Sequence, residues 1–201
     1  MKLRPTVLLL PLLLAASPAR ADYGSPPPPP PSANPSGADV EAPAELTPRQ
    51  QAERSFADAF DDVTRAGKDL DKGKADNAAK KYRHALERCR WAVQLDSTYA
   101  EAWNLIGFTS RKLGDYPHSF AAYETALRLK PDFALAREYY GEGLLETGDL
   151  AGAKRQLAAL RRVGTPELIA ELEGAVARYE AAHPAAGATP ADPGHTAAGG
   201  E

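Results

Sequence analysis

The stretch AEAWNLIGFTSRKLGDY, residues 100–116, decides the fold of this chain. It places Trp103 and Gly107 on one face of a predicted helix, because residues four apart lie one above the other. Gly114 and Asp115 then predict the end of that helix and the start of another. Glycine adopts a positive φ at little cost, and aspartate is a favoured N-cap residue.

The same pattern returns 34 residues later, where Gly107 corresponds to Gly141 and Gly114 to Gly148. Between the two copies, apolar residues continue at helical spacing until Pro131, which would end a second helix because it has no N–H to donate. A helix, a turn and a second helix, repeated at this period, are typical of a stacked-helix solenoid.

The unit that begins at Ala100 resembles the tetratricopeptide repeat, a pair of antiparallel helices. Small residues at Gly107 and Ala126 would let the two helices approach closely, with Trp103 expected to fill the contact over Gly107. Ser110 and Ser119 depart from the family pattern. The matching positions are Trp103, Ile106, Gly107, Leu113, Gly114, Asp115, Tyr116, Tyr123, Ala126 and Pro131.

The resemblance implies an all-α, right-handed α-solenoid of about three helix pairs, over residues 47–98, 99–132 and 133–164, with a capping helix over 165–181. Capping boxes are predicted at Thr47 with Gln50 and at Thr98 with Glu101, and Thr165 is the expected cap of the last helix. The turn glycines Gly73 and Gly114 are 41 residues apart, seven more than the period of 34, which adds two helical turns to the first unit. We expect those two turns at the end of its second helix, because two turns keep the same face inward.

Both ends of the chain differ in composition from this region. Residues 1–21 combine two basic residues, an apolar run and an Ala-Arg-Ala site, which is typical of a secretory signal peptide. Residues 22–46 hold six consecutive prolines, which predict a stiff disordered linker or, alternatively, a docking segment. Residues 182–201 are rich in Ala, Gly and Pro, and we expect a disordered tail.

Charge and composition argue against several classes of function. The chain carries 24 basic and 27 acidic side chains, and removal of residues 1–21 would leave 21 and 27, so nucleic acid is not the expected partner. No segment beyond the leader is apolar enough to predict membrane insertion. No metal-ligand spacing, nucleophile motif or phosphate loop was found, so we expect no catalytic residue, cofactor or metal. Cys89 is the single cysteine and is expected to be a buried apolar residue, or else to pair with another chain.

One charge pattern suggests a binding site. Glu138, Glu142 and Glu146 recur every fourth residue on a first helix, and in the tetratricopeptide family such helices line a concave groove. Two interpretations remain open: a partly exposed ladder neutralised by basic neighbours, or a partner-binding groove with Phe108 as an apolar anchor. In either case we expect these side chains to be exposed. The candidate residues are Glu101, Asn104, Phe108, Arg111, Lys112, Glu138, Glu142 and Glu146.

These observations lead to a functional hypothesis. We expect a non-catalytic, monomeric adaptor of the cell envelope, exported to the periplasm or secreted, that binds a protein or peptide segment in the groove. The alternative is a structural subunit of an envelope enzyme or secretion complex, which would co-purify at fixed stoichiometry through a large interface. An enzyme is the least favoured class, because no set of polar residues converges on a pocket.

Overall fold

The computed structural model describes residues 45–184, and these residues form seven α-helices and no strand. The helices are α1 (Pro48–Asp71), α2 (Ala75–Leu95), α3 (Ala100–Lys112), α4 (Tyr116–Leu129), α5 (Ala134–Glu146), α6 (Leu150–Val163) and α7 (Pro166–Ala182). They pair in chain order as α1 with α2, α3 with α4 and α5 with α6, and α7 packs against α5 and α6. The predicted leader, residues 22–44 of the predicted linker and the tail after residue 184 lie outside the described residues.

Three glycines make the turns inside the pairs. Gly73, Gly114 and Gly148 have φ angles of 70°, 80° and 89°, and these left-handed conformations strain any residue with a Cβ. The carboxylates of Asp115 and Asp149 accept hydrogen bonds from the first turns of α4 and α6, at 3.4 and 2.7 Å. The Gly-Asp punctuation predicted from the sequence is therefore confirmed.

Helix α2 has 21 residues, whereas α4 and α6 each have 14. The predicted seven-residue extension is confirmed, and it continues the same buried face through Cys89, Ala92 and Val93. Cys89 is fully buried, as expected, and burial raises the pKa of its thiol to about 12. The thiolate that disulfide exchange requires is therefore disfavoured in the folded chain.

The helix starts were predicted less well than the turns. Thr47 and Gln50 form the expected capping box, but the box predicted at Thr98 and Glu101 is wrong. Asp96 accepts hydrogen bonds from both the backbone N–H and the hydroxyl of Thr98, at 2.9 and 2.6 Å. A carboxylate is the stronger acceptor, so Thr98 belongs to the loop and α3 begins after Tyr99. Thr165 precedes α7 as expected, but its side chain makes no capping hydrogen bond.

The side chain nearest to Gly107 is Tyr123, not Trp103 as the sequence interpretation expects. A Cβ on Gly107 would lie 2.6 Å from ring atoms of Tyr123, which is fully buried. Trp103 is partly buried against the first core cluster, and its indole N–H donates to the carbonyl of Ser97 at 2.9 Å. In the next unit Arg137 stands at the position of Trp103 and donates to the carbonyl of Pro131 at 2.7 Å. Two unlike side chains thus anchor the same loop position.

Gly107→Ala should lower the free energy of unfolding by about 1–3 kcal/mol, the usual cost of overpacking a tight helix contact. The matched control is Gly174→Ala in α7, whose Cβ would meet only the flexible end of Arg178, at 3.1 Å. That variant should gain roughly 0.5–1 kcal/mol from the helix preference of alanine. Thermal and urea unfolding of the two variants check this, and equal shifts would show that the Tyr123 contact is not tight.

Candidate functional site

Arg111 lies at the centre of the contact between α3 and α5. Its side chain is only 2% exposed, and its guanidinium donates to Glu142 at 2.8 Å and to Glu146 at 3.4 Å. Burial opposes the positive charge, but the neighbouring Tyr123 and the two glutamates outweigh it, and the pKa of Arg111 is raised. Arg111 is therefore a permanently charged group that fixes two carboxylates, which are themselves 33% and 41% exposed.

Glu138 lies one turn before Glu142 on α5 and is 4% exposed. Burial first, and then the charges of Glu142 and Glu171, raise the pKa of its carboxyl to about 8, against the opposing effect of Arg111. The carboxyl of Glu138 also hydrogen-bonds that of Glu142. At neutral pH Glu138 is mostly protonated, so it adds little negative charge to the α3–α5 contact.

An aromatic pair lies beside this cluster. The rings of Phe108 on α3 and Tyr139 on α5 have centroids 5.1 Å apart in a tilted arrangement, a geometry that favours the edge of one ring near the face of the other. The Lys112 ammonium lies 5.3 Å from the Phe108 ring centroid, within range of a cation–π interaction. Lys112 is exposed, so the aromatic pair has a basic group at its solvent side.

The expectation that all the candidate residues are exposed is wrong. Counted over the whole residue, Arg111 and Glu138 are each 4% exposed and Phe108 is 9% exposed. Asn104 is also buried, and its side-chain oxygen has no hydrogen-bond partner. The reason is that successive first helices pack side by side, so residues at their contact lose solvent that an isolated helix face would keep. Lys112, Glu142 and Glu146 keep accessible surface.

The structure brings most of the candidates together but leaves two apart. Arg111, Glu138, Glu142 and Glu146 form one polar cluster, with Phe108 and Lys112 beside it. Glu101 instead pairs with Lys130 at 3.0 Å, at the start of α3. Neither Glu101 nor Asn104 shows an interaction with that cluster.

Two tyrosines at this contact were not predicted from the sequence as part of the site. Tyr139 completes the aromatic pair, and the buried hydroxyl of Tyr123 on α4 has no hydrogen-bond partner and lies near enough to Arg111 to influence its charge. Tyr139 follows Glu138 directly in the sequence, so an aromatic residue next to the glutamate ladder was the signal that could have found it. In the sequence, Tyr123 is recognisable only as a position that matches the repeat pattern.

Within residues 45–184, no helix has the length and apolar character needed to cross a membrane. The same region contains no group of three His, Cys, Asp or Glu side chains arranged to hold a metal ion.

Residues 100–133 match the sequence profile of the tetratricopeptide repeat. A curated relative, protein FlbA of Caulobacter vibrioides, is 31% identical over 90 residues, which is 44% of this chain and 15% of that protein. This chain thus corresponds to a small part of that relative. Among solved structures, the C-terminal TPR-containing domain of an FK506-binding protein from Plasmodium falciparum is similar, with 17% identity and a TM-score of 0.40. That match covers 65% of this chain and 94% of the domain.

The profile match falls on α3 and α4, and the helix pairs on either side of them carry the same glycine-centred turn. Residues 100–133 therefore match a tetratricopeptide repeat, and the flanking helix pairs repeat its glycine-centred turn.

Proposed function

We propose that this chain is an exported adaptor that binds a segment of a partner protein on its first-helix face. That face is the accessible side of the α3–α5 contact and is formed by Lys112, Tyr139, Glu142 and Glu146. The observation that carries the proposal is that two carboxylates held by Arg111 and the Lys112 ammonium lie beside the Phe108–Tyr139 aromatic pair. Export is proposed from residues 1–21 alone.

Arg111 supports this proposal because it positions the carboxylates before any partner arrives. Two partly exposed glutamates would otherwise sample several rotamers, and ordering such a side chain on binding costs about 0.5–1.5 kcal/mol. The ion pairs of 2.8 and 3.4 Å to a buried guanidinium already restrict Glu142 and Glu146. The face can therefore offer two carboxylates at little further entropic cost.

The partner's chemistry follows from these groups. A basic side chain of the partner fits beside Glu142 and Glu146, and an acidic group fits at Lys112. Exposed charges of this kind mainly set encounter rate and specificity, whereas the ring of Tyr139 supplies apolar contact. Phe108 contributes indirectly, because its buried ring packs against Tyr139 and supports it.

A photocrosslinking amino acid at Lys112 should capture a partner from the native envelope fraction. The photocrosslinking amino acid placed instead at Ala158, which is exposed on α6, should not capture that partner. With the purified partner, Lys112→Glu and Glu142→Lys should each weaken binding by about fivefold or more at low salt. Calorimetry at two salt concentrations measures this.

Thermal melts of the same samples provide the control. Lys112→Glu is at an accessible position and should leave the midpoint within a few degrees. Glu142→Lys removes a partner of the buried Arg111 and should lower the midpoint, so its affinity is compared at a temperature at which the variant is still folded. Capture of the partner at Ala158 but not at Lys112, or unchanged affinity in both variants, would place binding elsewhere on the chain.

A further inference from the structure

The outer face of α2 carries an exposed aromatic residue among basic side chains. Trp91 is 53% exposed and lies in the two turns by which α2 exceeds the other second helices. At 100° per residue, Lys80, Arg83, Glu87, Arg90 and Trp91 fall within about 100° of arc on the side away from the core. We call these five residues the α2 outer face. Helix α2 packs against α1 and α3 through its opposite side.

The basic residues of this face have no acidic partners in the part of the chain that the structure describes. Helix α2 has five basic and two acidic side chains, although the whole chain has net charge −3. Lys81 and Arg88 pair with Asp69 and Asp62 of α1. Among residues 45–184, no carboxylate forms an ion pair with Lys80, Arg83 or Arg90.

Helix α6 is also rich in basic residues, but most of them form ion pairs. Helix α6 has four basic side chains and no acid, but three of them are paired. Lys154 lies 2.7 Å from Glu180, Arg161 lies 2.8 Å from Glu173, and Arg155 lies 3.7 Å from Asp149. Among the described residues, three unpaired cations beside an exposed aromatic side chain therefore distinguish α2 from α6.

We propose that the α2 outer face is a second docking surface, separate from the first-helix face, for an acidic protein segment. Carboxylates of the segment pair with Arg83 and Arg90, and an apolar side chain packs on Trp91. Tryptophan and arginine are the residue types that most often dominate the energy of protein interfaces. The unpaired cations supply the charge complementarity.

The position of Glu87 favours a protein segment over a lipid or nucleic-acid surface. Glu87 lies between Arg83 and Arg90 on the same stripe, so a uniformly anionic surface would bring its own charge against this carboxylate. A peptide can place carboxylates opposite the two arginines and a neutral or basic residue opposite Glu87. Arg83 and Arg90 are about 10 Å apart along the axis, which three residues of extended chain also span.

Trp91 allows a direct test, because the chain has only one other tryptophan, Trp103. In a Trp103→Phe background the emission reports on Trp91 alone. The probe is a blocked peptide with two Glu-Leu-Lys-Glu units, and the comparison peptide exchanges every Glu and Lys. The acidic probe should shift Trp91 emission to shorter wavelength with a Kd of about 10⁻⁴ M at low salt. Binding should weaken several-fold at high salt.

Arg83→Glu with Arg90→Glu should weaken binding of the probe by about tenfold or more, whereas Arg161→Glu with Arg162→Glu on α6 should leave it unchanged. The proposal is overturned if both peptides bind equally, or if the acidic probe does not bind. It is also overturned if vesicles with half phosphatidylglycerol or a DNA duplex shift the emission while the peptide does not. The melting temperature of each variant distinguishes loss of binding from loss of folding.

Discussion

Replacing Glu142 and Glu146 together by methionine should lower the free energy of unfolding by about 3–5 kcal/mol. The reason is the position of Arg111, whose guanidinium is buried and depends on these two carboxylates for charge and hydrogen bonds. Removing the acids leaves a buried charge without compensation. Equilibrium urea denaturation at pH 7, followed by circular dichroism, measures the change.

Replacing the arginine instead of the two glutamates should destabilise the protein much less. Arg111→Met removes the buried charge itself, and the two glutamates are accessible enough to regain water, so the expected cost is about 0–2 kcal/mol. The triple variant with methionine at all three positions should recover most of the loss of the double variant. If the double variant and Arg111→Met are equally destabilised, the contact is held by packing rather than by charge.

Glu138→Gln should make the protein more stable at pH 9 by roughly 2–4 kcal/mol, with little change at pH 4. Burial raises the pKa of Glu138 to about 8 from its ordinary 4.5. Between these values the folded state binds more protons than the unfolded state, so this carboxyl makes stability fall as pH rises. Glutamine stays neutral and can still donate to Glu142, so the variant should lack that decline.

The measurement is a series of urea denaturation curves of parent and variant from pH 4 to pH 9. Glu101→Gln is the control, because Glu101 is in a surface pair with Lys130 at 3.0 Å and should leave the slope of stability against pH almost unchanged. Parallel profiles for the parent and Glu138→Gln would mean that Glu138 is ionised in the folded protein at neutral pH.

The fold could be predicted from the sequence because its signals are local. Gly114 and Gly148 mark turns through a backbone requirement that no distant residue alters. The apolar stripe of α2 likewise continues without interruption through the longer first unit. The capping box predicted at Thr98 is wrong for a reason that is also local. Asp96, two residues earlier, accepts hydrogen bonds from the Thr98 groups that a capping box would use.

The sequence predicted most of the residues of the candidate site but not the contacts between them. The period of 34 residues aligned Lys112 with Glu146 and Phe108 with Glu142, but alignment by repeat position does not give contact. Two helices that pack side by side meet at offset positions, so Arg111 bonds to Glu142 and Glu146 while Phe108 meets Tyr139. Burial of Glu138 depends on α5 packing beside its neighbours, which no single stretch of sequence contains.

The extra length of α2 has a consequence for how such a protein can change by insertion and deletion. Seven residues turn a helix through about 700°, within about 20° of two full turns, so the inserted stretch joins the buried face in phase. An insertion of two or five residues would rotate everything beyond it by about 160° or 140° and expose that face. The helices of this solenoid can therefore change length only by steps close to a whole number of turns. The permitted steps add new outer surface, such as the segment that carries Trp91, without disturbing the interior.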